Sequence, residues 1–147
     1  MRRRLLALFI SLAAGSGLVA CAKLSEFVTA HTYGPNFDYI PDDQVDSVMW
    51  QLARDVNRID AVVHDPAGVS PDQRDEIARL LVIMADATQR LGSEGVRTNH
   101  PLIDEHREVF RADLEAARRG VQSQPPSYTL AENISGACLR CHEHGTR

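Results

Sequence analysis

From Val45 to Val63 the apolar residues Val45, Met49, Leu52, Val56, Ile59 and Val63 step by 4, 3, 4, 3 and 4. That rhythm keeps a single stripe of an α-helix apolar for about five turns, which suits packing against other helices. Asp42 and Asp43 place negative charge at the amino end, where the helix dipole favours it, and Asp65-Pro66 stops the helix. A helix is therefore predicted from Asp42 to His64.

Three more stretches read the same way. Ser70-Pro71-Asp72-Gln73 is a capping box with proline at the first helical position. The helix it opens shows one face of Ile77, Leu80, Leu81, Met84, Ala87 and Leu91, and Gly92 closes it. A third helix is predicted from Pro101 to Gly120, its inner face Ile103, His106, Phe110, Leu114 and Ala117. A fourth follows Pro125-Pro126, from Ser127 to Gly145, with Ala131, Ile134, Cys138 and Cys141 inward. No stretch alternates apolar and polar residues for long enough to suggest a sheet. Short connections make consecutive helices antiparallel neighbours. The expectation is an all-α, antiparallel up-down-up-down four-helix bundle over residues 41–147.

The amino-terminal residues belong to a different class of sequence. Arg2-Arg3-Arg4 precedes an apolar run from Leu5 to Ala20, broken by Gly15, Ser16 and Gly17. A basic start and a short apolar run describe a secretory signal peptide over residues 1–20 rather than a spanning helix. Leu18-Val19-Ala20-Cys21 resembles the bacterial lipobox, in which Cys21 receives the lipid; the other reading is ordinary cleavage near Ala20. Ala22 resembles the residue that follows in lipoproteins sorted to an outer membrane. Buried acyl methylenes add about 0.8 kcal/mol each, enough for stable anchoring when two or more chains are present. Residues 21–40 then read as a tether of about 25 Å root-mean-square span. Its aromatics Phe27, Tyr33, Phe37 and Tyr39 suggest that part of it packs on the domain.

Residues 1–20 hold three arginines and no acid, so the remainder carries 13 basic against 20 acidic side chains, a balance of −7. An acidic surface argues against a nucleic-acid partner. It would suit a basic docking partner, though a charge excess more often serves solubility alone.

Cys138-Leu139-Arg140-Cys141-His142 carries the chemistry. With three cysteines and six histidines in 147 residues, chance alone gives about 0.002 such matches. On a helix, positions i, i+3 and i+4 share one face, so two thiols can add to haem vinyl groups while His142 rises to the iron. This is the pattern of covalent c-type haem attachment. Lipid on Cys21 and haem on Cys138 and Cys141 would use every cysteine, whereas a disulfide leaves one over. Zinc would require four ligands, and only Cys138, Cys141 and His142 or His144 stand together. A redox dithiol would sit at a strand-to-helix turn, and no strand is predicted.

One haem motif at the far carboxyl end of a four-helix bundle resembles the class II cytochromes c, the cytochrome c′ family, from roughly Asp42 to Gly145. In that family the first helix supplies the distal side of the haem, and Met49-Trp50-Gln51-Leu52-Ala53-Arg54-Asp55-Val56 is similar to the low-spin pattern. The resemblance implies haem c with iron held by His142 and, in low-spin members, by Met49. Position alone leaves Met49, Met84, His106 or no residue as the sixth ligand. Family members carry a basic residue one turn before the distal position, where this chain has Val45, and an arginine soon after the haem histidine, where only Arg147 follows. Arg140 and Arg54 are the other candidates for propionate partners, and Trp50 for packing on the ring edge or filling the bundle. His31, His64, His100 and His144 read as exposed or linker residues.

The function so implied is electron transfer by a periplasm-facing, lipid-anchored mono-haem protein that serves redox partner proteins and converts no substrate. The competing class is a five-coordinate cytochrome c′-like binder of nitric oxide or carbon monoxide. Family members often pair through flat bundle faces, so a homodimer is among the assemblies the resemblance implies.

Overall fold

The computed structural model describes Gly34 and residues 36–142. The chain is mostly helical, and the compact unit Asp38–Arg147 holds all five helices found among the described residues. These are α1 (Asp42–Val63), α2 (Pro71–Gln89), α3 (Pro101–Gln122), α4 (Thr129–Glu132) and α5 (Ile134–His142). Two strands of two residues each, β1 (Phe37–Asp38) and β2 (Arg97–Thr98), are the β structure among the described residues. They are too short to leave an alternating pattern in sequence, which is why no strand was expected.

Each helix end has a local cause. At α1, Pro41 is extended and its carbonyl accepts from Gln44 N and Val45 N at 3.1 and 3.2 Å, while Asp42 and Asp43 occupy the first turn. At α2 the capping box is formed in full: Ser70 Oγ accepts from Gln73 N at 3.3 Å, and Ser70 N donates to Gln73 Oε1 at 2.8 Å. The chain leaves α2 through Gly92, whose φ of +112° lies where an L side chain is strained. Pro101 opens α3, and just before it Thr98 N donates to Asp104 Oδ2 at 2.7 Å while Thr98 Oγ1 accepts from His100 N at 3.0 Å. Ser123 ends α3 with a hydroxyl that donates to the Gly120 carbonyl at 2.7 Å.

The fourth helical stretch is broken rather than continuous. Asn133 (φ −95°, ψ 2°) separates α4 from α5, and its side-chain amide donates to the Thr129 carbonyl at 2.7 Å. An asparagine side chain that bonds its own backbone competes with the helical ladder, and here it prevails.

α1 packs on α2, α2 on α3, and α3 on both α4 and α5, with α4 also against α1. Their shared interior contains Val48, Leu52 and Ile59 of α1; Ile77, Leu80, Leu81 and Met84 of α2; Leu114, Ala117 and Val121 of α3; and Ala131 and Ile134. Each large apolar side chain buried there contributes roughly 1.5–3 kcal/mol. The chain preceding α1 is held as well. Ile40 is buried, its N–H donates to Asn99 Oδ1 at 2.8 Å, and its carbonyl accepts from Asn99 Nδ2 at 3.0 Å. His100 lies in the connection ahead of α3, one of its two expected places, and its side chain is largely covered there, with Nε2 2.9 Å from the same Ile40 carbonyl and 3.7 Å from Asp42 Oδ1.

No described helix is long and apolar enough to cross a membrane. Cys21, the proposed signal peptide and most of the tether lie outside the described residues.

Candidate functional site

One end of α5 faces a half-open cleft that also draws on α1, α2 and α3. Its cavity volume is about 180 Å³. Helix α1 contributes Met49, Leu52 and Ala53, and α3 contributes Ile103, His106, Arg107 and Phe110. Thr88 comes from the end of α2 and Leu91 from just beyond it, and Ala137, Cys138, Arg140 and His142 from α5. Thr88 turns its hydroxyl back onto the Ala85 carbonyl at 2.7 Å, so its polar atom is satisfied within α2. The remaining polar groups of the wall are few: one thiol, two imidazoles and two guanidinium groups.

The sequence-predicted residues divide clearly. Cys138 and His142, four apart on one helix, share the cleft, as i and i+4 positions should. Cys138 is half-buried, and that burial pushes its thiol above the ordinary range, with a backbone hydrogen bond acting the other way. Cys141 lies on the same helix, but its side chain falls outside what is described. Met49 is half-buried in the wall from α1, while the fully buried α1 side chain beside it is Val48. His106 is half-buried in the wall from α3. Met84, by contrast, is 0% exposed in the interior and does not line the cleft. Of the two candidate ligands on these helices other than Met84, both reach the same space as His142.

The arginines divide too. Arg140 lines the cleft and pairs with Asp113 of α3. Arg54 is exposed and absent from the wall. Val45 is partly buried against the core but does not reach the cleft. Trp50 is 68% exposed, so it does not fill the interior. His144 and Arg147 lie outside the described residues.

Sequence reasoning missed Arg107. It is 5% exposed, lines the cleft, and donates from Nη1 to the Leu91 carbonyl at 2.9 Å and from Nη2 to the Ser93 carbonyl at 2.6 Å. A signal existed. Ile103, Arg107, Phe110, Leu114, Ala117 and Val121 step by 4, 3, 4, 3 and 4, the same rhythm that marked α1, but a charged residue is passed over when only apolar ones are counted.

The donor chemistry fits an iron porphyrin: one thiol and one imidazole on a shared helix face, a thioether and a second imidazole across other walls, and an otherwise apolar lining. Among the described residues no group of three or more His, Cys, Asp or Glu side chains stands ready to hold a bare metal ion. Family models, curated proteins and solved structures contain no match to this chain.

Proposed function

We propose that the chain is a mono-haem c-type cytochrome that carries electrons, an antiparallel up-down-up-down four-helix bundle of the class II kind with α4 and α5 together as its fourth leg. One observation carries this reading: Cys138 and His142 of the CLRCH segment open into the same cleft as Met49 and His106. Cys138 and Cys141 would hold the porphyrin by thioether bonds, and His142 would be one axial ligand. Met49 is the other, since the low-spin resemblance and its place in the wall agree. A thioether ligand favours the reduced metal and raises the potential relative to two imidazoles.

When bound, haem supplies a one-electron centre. The chain's own part is to position it and limit water around it. Leu52, Ile103, Phe110 and Ala137 provide the apolar wall, and Met49 and His142 would hold the iron. The signal peptide, the lipobox and the net acidity complete the proposal. The protein faces the periplasm, is tethered by a lipidated Cys21 at the outer membrane, and exchanges electrons with partner proteins. It is not an enzyme, and nucleic acid is not among its partners.

The test is production alongside haem-attachment machinery, followed by haem staining on a denaturing gel, intact mass and the reduced absorption spectrum. The expected result is a stained band, a mass increased by one haem, and sharp low-spin bands. A colourless protein with the mass of polypeptide and lipid alone would end the proposal. A broad high-spin spectrum that shifts at once with carbon monoxide would replace the carrier with a gas binder.

A further inference from the structure

Arg107 is a buried cation whose one ion-pair partner among the described residues is shared. Its guanidinium is buried, and Nε lies 3.2 Å from Glu108 Oε1, the ion pair recorded for it among the described residues. That carboxylate is shared, because Glu108 Oε2 lies 3.4 Å from Arg111 Nη1. Two guanidinium groups therefore share one carboxylate beside an apolar cleft, while the nearby Asp104 carboxylate, one turn earlier on α3, is engaged by Thr98 N at 2.7 Å. The bonds to the Leu91 and Ser93 carbonyls use the hydrogen-bonding power of Arg107 but do not neutralise it. The three recorded bonds occupy three of the five N–H groups of an arginine. A buried charge left without a partner is strongly unfavourable, whereas a neutral side chain could brace the same carbonyls without that penalty. The position is also specifically accommodated, since Gly92 lacks the side chain that would otherwise collide with Nη1.

We infer that Arg107 is the anion-binding residue of the cleft and takes a carboxylate of the bound porphyrin. The inference rests on the haem reading above and deepens it. A buried guanidinium binds carboxylate more strongly than a solvated one, because low local dielectric strengthens the charge-assisted hydrogen bond. Arg140 is the weaker candidate, since Asp113 already pairs with it and its side chain is 43% exposed.

The test uses the full chain made without haem and two metal-free probes, protoporphyrin IX and its dimethyl ester. Removing iron removes axial ligation, so the comparison reads carboxylate recognition alone. Binding is followed by quenching of the single tryptophan, Trp50. The diacid should bind about tenfold or more tightly than the diester, the range expected of a hydrogen bond to a charged group. Arg107→Gln should bring the ratio close to one, Arg107→Lys should restore much of it, and the exposed Arg54→Gln should leave it unchanged. Equal binding of diacid and diester by the wild-type chain overturns the assignment. So does a preference that survives Arg107→Gln in a protein with unchanged circular dichroism. If Arg107→Gln does not fold, Arg140→Gln decides: a retained preference supports Arg107, and a lost one overturns it. Failure of both porphyrins to bind would instead sink the haem reading beneath it.

Discussion

Gly92 makes room for Arg107. A Cβ built on Gly92 would overlap Arg107 Nη1 and come within 2.9 Å of Thr98 Cγ2, and φ at Gly92 is +112°. The turn after α2 and the buried cation of α3 therefore depend on one missing methyl group.

Gly92→Ala should be costly on two counts, backbone strain and collision with a buried side chain. The expected loss is about 2–4 kcal/mol, the sum of a left-handed penalty and an overpacking penalty. Gly95→Ala is the control. Its φ is +74° and nothing lies within 4 Å of the added carbon, so it should lose about 1–2 kcal/mol from strain alone. Urea unfolding of both variants measures the difference. Equal losses would show that Arg107 simply moves aside.

Two methionines should behave as opposites. Met84 is fully buried, so Met84→Ala should cost about 2–5 kcal/mol through lost contacts and the cavity left behind. In haem-loaded protein it should leave the reduced spectrum alone. Met49→Ala removes a half-buried side chain at the cleft, should cost less stability, and should change that spectrum. Thermal melts and absorption spectra on the same samples separate the two.

Ser70→Ala should lose the oxygen that accepts from Gln73 N and with it about 1 kcal/mol. The residue stands at the start of α2, whereas Thr88 and Leu91, which line the cleft, stand at and just beyond its other end. Porphyrin affinity should therefore be unchanged while the melting temperature falls.

Asn99→Ala should free the Ile40 N–H while its carbonyl keeps His100 Nε2 at 2.9 Å, at a cost of about 1–3 kcal/mol for a polar group left partly buried. Amide exchange at Ile40 should accelerate sharply, while exchange in the middle of α2 should be affected only through the global loss.

How far these features could be read in advance differed from helix to helix. α2 was legible throughout: every residue of its expected face is buried, and its capping box is present as bonds. Its polar residues cluster on the solvent side, so counting apolar ones finds the right stripe. α1 was read slightly off its axis. Its interior residues are Val48, Leu52, Asp55 and Ile59, whereas Val45, Met49, Val56 and Val63 are only partly buried. The two stripes share Leu52 and Ile59, and hydropathy favours the one without an aspartate. That small rotation gives Met49 its place at the cleft rather than in the core. Arg107 was hidden for the same reason as Asp55. The break at Asn133 carried no glycine or proline to announce it. The cleft residues Cys138 and His142 could be named from their spacing alone, but the walls opposite them depended on helix rotations that spacing does not give.

The pair of hydrogen bonds between Ile40 and Asn99 has a mechanical consequence. A pull on the chain just before α1 is shared at Ile40 with the residues just ahead of α3 before it can unwind the first turn of α1. The arrangement works as strain relief does on a cable, and Met49 lies two turns further along, past the point where a pull is shared.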